Sequence, residues 1–225
     1  YLGAGGVCMR SLSYTQALRE ALVEEMHRDD SVFLLGEDIG VYGGAFGVTR
    51  GLVEMFGAER VLETPISEGS YVGVAIGAAM TGMRPVAEIM FMDFITLAFD
   101  QILNLASKLH YVYNGQFTCP VVVRTPSGGG KSYGPTHSQS LEALFMHVPG
   151  IKIAVPSTPS DAKGLLKTAI RDDNPVLFVE HKGLYAQKGP VGPDDEEGDV
   201  VPFGQANVLA EGQDMTIVTW GGMLP

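Results

Sequence analysis

The sequence predicts an α/β fold, a mostly parallel sheet covered by helices on both faces. Two observations predict it. Six short apolar runs read as strands, and most are separated by stretches whose apolar residues recur at helical spacing. No segment repeats, which argues against a solenoid.

In chain order, Ser13-Tyr14-Thr15-Gln16 fits a capping box and opens a helix with Leu18, Ala21, Leu22 and Met26 on one face. Residues 31–35 read as a buried strand ending at Gly36. A glycine-rich loop (40–47), a short helix (49–56) and a second strand (60–63) follow. From Ser67 the spacing turns helical, with Gly69, Gly73 and Gly77 suited to close packing against a sheet or a partner chain. Residues 85–90 form the next strand and residues 95–111 a long amphipathic helix. Residues 120–124 (PVVVR) are a compact strand, followed by a glycine-rich loop (127–135) and a helix around 140–147. Residues 151–155 repeat the strand signal. Thr158-Pro159 caps and starts a helix whose buried stripe is Ala162, Leu165, Leu166, Ala169 and Ile170, and residues 175–180 are the sixth strand.

Composition bounds the function. The 225 residues are 45% hydrophobic and 18% charged, which excludes a disordered chain. Twenty-six acidic against fifteen basic residues give −11, which argues against a nucleic-acid binder. Two cysteines, Cys8 and Cys119, make neither a disulfide framework nor a zinc site. The apolar stretch 69–83 is too short to span a bilayer. The reading is a soluble protein in a reducing compartment. Residues 1–11 read as a leader remnant and 187–206 as an acidic Gly/Pro linker containing Asp194-Asp195-Glu196-Glu197. Residues 215–220 (MTIVTW) read as the first strand of a further α/β unit.

Three places hold candidate chemistry. Thr125 to Ser132 (TPSGGGKS) follows a strand as a phosphate-binding P-loop does, but Thr125 stands where that motif requires glycine and Gly134-Pro135 breaks the helix it needs. Glu68 stands between Pro65-Ile66 and a small-residue helix, where the helix dipole favours its charge and burial opposes it. It is a candidate acid/base or a capping acid. His137, at the end of a long loop, is a candidate catalytic group.

Taken together, Leu34-Leu35-Gly36-Glu37-Asp38, Thr64-Pro65-Ile66-Ser67-Glu68, Met90-Phe91-Met92-Asp93-Phe94, Phe99-Asp100-Gln101-Ile102, His137-Ser138-Gln139-Ser140, Asp161-Ala162-Lys163-Gly164-Leu165 and the run 170–175 (IRDDNP) resemble one family. It is the β subunits of the thiamine-diphosphate-dependent decarboxylase of 2-oxo acid dehydrogenase complexes. The resemblance covers roughly residues 12 to 225. It implies a transketolase-like pyrimidine-binding domain over 12–186 and a C-terminal domain, begun at 207–225, that is truncated here. It also implies an α subunit, as α2β2, that holds diphosphate and magnesium, and a lipoyl-bearing acyltransferase that accepts the acyl group. The location implied is the cytoplasm, or the mitochondrial matrix in a eukaryote.

By the same resemblance, Glu68 hydrogen-bonds the aminopyrimidine nitrogen and favours the imino tautomer, which removes the thiazolium proton. Phe94 stacks on the ring, Ile66 and Met90 wall it, Glu37 is a second acid, and His137 stands at the mouth. Val121, Ala169, Asp172 and Asn174 match a potassium site. Met90 and Phe94, where branched-chain members often have a polar residue and a tyrosine, tilt the substrate toward pyruvate. Acetoin dehydrogenase shares the Met-Phe-x-Asp-Phe pattern and is the near alternative, with the branched-chain enzyme after it. A P-loop nucleotide hydrolase and a non-catalytic assembly subunit are the readings from other classes.

Overall fold

A computed structural model describes residues 9–192 and 200–225. Six strands form one parallel sheet: β2 (Val32–Gly36), β3 (Val61–Glu63), β4 (Arg84–Glu88), β5 (Val122–Ser127), β6 (Lys152–Ala154) and β7 (Val176–His181). Their spatial order is β3-β2-β4-β5-β7-β6. The predicted strands lie in these positions, shifted by up to three residues at their ends.

Strand side chains alternate between faces, so a strand buried on both sides needs an unbroken apolar run. Val32, Leu34, Val176 and Phe178 join one core with α1 (Tyr14–Arg28) and α6 (Pro159–Arg171). Phe33, Leu35, Leu177 and Val179 join a second core on the opposite face, with α3 (Glu68–Met80) and the segment after β4. Both long helices on the first face start at the caps read from sequence. Ser13 and Gln16 exchange capping-box hydrogen bonds, and Thr158 accepts from the Asp161 N–H with Pro159 at the first turn. Between α1 and α6 lies a charged seam in which the fully buried Lys163 and Lys167 meet Glu20 and Glu24.

Four expectations need correction. The single helix expected over 95–111 is three pieces: a 3₁₀ segment Met92–Ala98, a π segment Gln101–Ala106 and α4 (Leu109–Val112). The tight first piece brings the Leu97 carbonyl to 2.9 Å from where a side chain on Gly69 would begin, so Gly69 is needed for that approach. Farther along, the Ser107 N–H reaches the Ile102 carbonyl, widening the helix by one residue. Second, α2 is confined to Leu52–Phe56 because Gly51 stands at φ 79°, a left-handed conformation that a helix starting at Thr49 could not contain. Third, Arg10–Ser13 (β1) and Lys188–Val191 (β8) form an antiparallel pair, although their sequence reads partly as leader and linker. Fourth, residues 215–220 form no strand. Met215, Ile217 and Val218 are exposed, and no described strand lies beside them to satisfy their backbone groups.

Gly77 of the glycine stripe faces open space. Helix α5 is Glu142–Met146. No helix among the described residues is long and apolar enough to cross a membrane. The acidic run 194–197 and Cys8 lie outside the described residues.

Candidate active site

In a parallel sheet every strand delivers its following loop to the same edge, and ligands bind in the crevice there. Glu37 follows β2, Glu68 opens α3 after β3, Met90 to Phe94 follow β4, and His137 lies in the loop after β5. The topology therefore gathers at one edge residues that the sequence scatters over a hundred positions.

Two groups result. The first is acidic. Glu37 and Glu68 are buried, at 6% and 4% exposure. Burial, then the charges of Glu68 and Asp38, push the Glu37 carboxyl up to about 7, against a partial offset from the Ser67 N–H. One Glu37 oxygen and the Tyr71 hydroxyl are buried with no hydrogen-bond partner in the structure. Burial, followed by the charges of Glu37, Glu68 and Glu88, raises the Tyr71 phenol far above its ordinary range. Unpaired buried polar atoms are costly, and here they cluster where a ligand is expected. Glu37 also precedes Asp38, a non-glycine residue held at φ 53°, a strained conformation of the kind that concentrates at functional sites.

A raised carboxyl pKa has a definite sign. The folded chain holds the Glu37 proton between about pH 4.5, where the unfolded carboxyl titrates, and about 7. The stability it contributes is therefore full below that window and lost as pH rises through it. Glu37→Gln is expected to flatten the decline in melting temperature between pH 5 and 7.5. An unchanged profile would show that Glu37 titrates normally.

The second group is aromatic. The His137 ring meets Phe91 edge-on at 4.8 Å and Phe94 at 5.2 Å between centroids. Phe91 also meets Phe94 at 6.3 Å and Tyr133 at 5.9 Å. Phe94 and Met90 are half-buried. Ile66 is 81% exposed in the turn before α3, so this chain alone does not enclose it. Sequence reading missed Tyr71, although its position three residues after Glu68 puts both on one helix face.

Of the residues matched to potassium, Ala169, Asp172 and Asn174 lie at or just past the C-terminal end of α6, and Val121 lies just before β5. The Asp172 carboxylate binds Lys152 and accepts from the Asn174 backbone N–H at 2.9 Å and side-chain amide at 2.8 Å. Burial would raise its pKa, but these bonds hold it below the ordinary range. The Ala169 carbonyl accepts from the Asp172 N–H and the Val121 carbonyl from the Val176 N–H. Arg84 donates to the Ile170 and Asp172 carbonyls. Lys152 and Arg84 thus already bond to oxygens of the 170–172 segment. Among the described residues no cluster of three His, Cys, Asp or Glu is placed to hold a metal ion.

The P-loop-like stretch builds no phosphate cradle. Thr125 to Ser127 complete β5, and no helix begins at Lys131-Ser132; the next opens at Glu142.

A parallel α/β domain with paired buried carboxyls and an aromatic cluster at its carboxyl edge defines a ligand-binding domain of the doubly wound class. The chain belongs to the family described as "Transketolase, pyrimidine binding domain", which matches residues 10–188. It is 53% identical over 214 residues to the 2-oxoisovalerate dehydrogenase subunit beta of Bacillus subtilis (strain 168), covering 95% of this chain and 64% of that protein. It is 49% identical over 225 residues to the acetoin:2,6-dichlorophenolindophenol oxidoreductase subunit beta of Cupriavidus necator, covering 96% and 65%. It is 52% identical over 207 residues to the pyruvate dehydrogenase E1 component subunit beta of Gracilaria tenuistipitata var. liui, covering 92% and 63%. The chain thus spans just under two thirds of the length of these relatives. A solved structure, "Split gene transketolase, inactive beta4 tetramer", shares the fold with TM-score 0.59 at 23% identity, covering 76% of this chain and 51% of that one.

Proposed function

We propose that the chain is the pyrimidine-binding part of the β subunit of a heteromeric 2-oxo acid dehydrogenase that depends on thiamine diphosphate. The complex decarboxylates a 2-oxo acid, pyruvate in preference, and passes the acyl group to the lipoyl group of an acyltransferase. The observation that carries this reading is the buried Glu68 carboxyl beside Glu37 and the unpaired Tyr71 hydroxyl. Such a set accommodates a polar heterocycle brought in from outside. When bound, thiamine diphosphate supplies the nucleophilic thiazolium carbon and the electron sink for decarboxylation.

The residues of this chain do the rest. Glu68 holds a proton at the pyrimidine ring nitrogen, fixing the tautomer. Phe94 presents a flat apolar face that aligns the ring, and with Met90 and Ile66 it excludes water once the α subunit closes the cleft. Glu37, titrating near neutrality, exchanges protons beside Glu68 at working pH. His137 donates a hydrogen bond at the mouth to the substrate carboxylate or the arriving lipoyl group. Magnesium and the diphosphate belong to the α subunit, in an α2β2 assembly. Potassium is proposed at Val121, Ala169, Asp172 and Asn174, whose carbonyl, carboxylate and amide oxygens are the hard donors such a cation takes. Lys152, whose side chain is 43% exposed, is the group it would displace.

The relatives are named for three substrates at similar identity, so the apolar Met90 and Phe94 carry the preference for pyruvate. The test is turnover of pyruvate, branched 2-oxo acids and acetoin by the full-length β chain with its α subunit and an artificial electron acceptor. Pyruvate is expected to give the highest kcat/KM. If no substrate turns over, and the α subunit alone binds the cofactor as tightly as the mixture does, the chain has only an assembly role.

A further inference from the structure

We infer that Asp93 and Lys182 clasp the His137 loop from two sides and act as positioning residues for the His137 imidazole. This inference rests on the function proposed above.

Residues 128–140 form a long loop between β5 and α5 with no helix or strand of its own. It contains Gly128, Gly130, Ser132 and Gly134 at positive φ. Such a segment samples many conformations unless other elements restrain it. Its ends meet where the Gly128 N–H donates to the Gln139 carbonyl at 3.3 Å.

The restraint on His137 comes from elsewhere in the fold. One oxygen of the buried Asp93 carboxylate accepts from the Ser138 N–H at 3.2 Å, the Gln139 N–H at 3.2 Å and the Gln139 side-chain amide at 2.8 Å. On the other side the Lys182 ammonium, directly after β7, donates to the His137 carbonyl at 2.5 Å. Lys182 is almost wholly buried and lies 5.0 Å from the centre of the Phe91 ring. Burial lowers its pKa and the Asp93 charge opposes that.

The peptide units following His137 are therefore held by two charged groups, while its ring rests on Phe91 and Phe94. One short turn, residues 91–94, supplies both the rings and the carboxylate. Hydrogen bonds to charged groups are the stronger kind, and they anchor the backbone from which the imidazole projects.

The test uses the full-length β chain assembled with its α subunit. Amide hydrogen exchange at residues 138 and 139 is compared among wild type, Asp93→Ala, Asp93→Asn and Lys182→Met. Steady-state KM and kcat for pyruvate are measured alongside. Asp93→Ala is expected to speed exchange at both amides by about tenfold, the ratio that one charged hydrogen bond represents, and to raise KM by about as much while lowering kcat less. Asp93→Asn, which keeps a carbonyl acceptor, is expected to restore most of both. Lys182→Met keeps the packed stem and carries the test if Asp93→Ala does not assemble.

Unchanged exchange in the assembled variants would overturn the clasp. Faster exchange with unaltered KM and kcat would overturn the positioning role. A wild-type complex that turns over no substrate would overturn the proposed function, and the exchange data would still decide the clasp.

Discussion

Glu68→Gln, made in the full-length β chain assembled with its α subunit, is expected to lower turnover by about 10²- to 10⁴-fold, the range that general acid–base groups supply. The glutamine has the same shape, and Glu68 sits at the first position of α3, so packing is retained. A neutral amide cannot hold and release the proton that a carboxyl handles at a ring nitrogen. The cost to the fold is expected to be small, because the dipole of α3 loses one favourable charge worth about 0.3–1 kcal/mol, while the burial penalty on that charge is also removed. Melting temperature and subunit assembly should therefore stay close to wild type. A variant that loses activity by falling apart would place Glu68 in the framework instead.

Arg124→Met is expected to do the reverse, damaging stability first. Arg124 is 2% exposed in β5. It forms a two-pronged ion pair with Glu180 of β7 at 2.7 and 3.0 Å and a third bond to Glu88 of β4 at 2.8 Å. The Tyr185 hydroxyl donates to the same Glu180 at 2.8 Å. Removing the guanidinium leaves two buried carboxylates without their cation, and breaking such a pair costs about 3–5 kcal/mol. In a domain of this size that corresponds to a fall in melting temperature of about 10 °C.

The loss should depend on pH with a determinate sign. Burial, followed by the Glu180 charge, already raises the Glu88 pKa, and Arg124 opposes the rise. Without Arg124 the Glu88 carboxyl is pushed higher still. Its contribution is kept below the unfolded pKa and lost as pH rises through the raised folded value. Thermal unfolding of the variant should show a larger deficit against wild type at pH 8 than at pH 5. Equal deficits would mean that Arg124 acts by filling space.

That network also marks where reading the sequence stops. Glu88, Arg124 and Glu180 each stand near the end of an apolar run, where a charged residue ordinarily marks the solvent boundary. Only the order β4-β5-β7 and the register that pairs Glu88 with Arg124 and Pro126 with Glu180 bring them together. Local signals were legible because their physics is local: the capping box at Ser13, the Thr158-Pro159 start and the β-branched runs each fix their own element. Lys163 and Lys167, outside the apolar stripe of α6, are buried because Glu20 and Glu24 on another helix neutralise them. The break in residues 92–112 answers to the neighbouring α3, which a helical period does not report.

The site divides in the same way. Glu68, His137, Phe94 and Glu37 were visible through the ordered motifs around them. The place of Tyr71 and the positioning inferred for Asp93 and Lys182 were not, although Asp93 lies inside one motif, since an ordinary tyrosine, aspartate or lysine acquires a role only from what the fold sets beside it.

The central claim is that the Glu68 carboxyl acts on the pyrimidine ring of thiamine diphosphate held between two subunits. The most direct measurement is the rate at which the cofactor's thiazolium proton exchanges with deuterated water in the wild-type and Glu68→Gln complexes, with cofactor shown to be bound in both. Fast exchange is expected in the wild type and, in the variant, a rate near that of free thiamine diphosphate. Exchange in the variant as fast as in the wild type would contradict the claim.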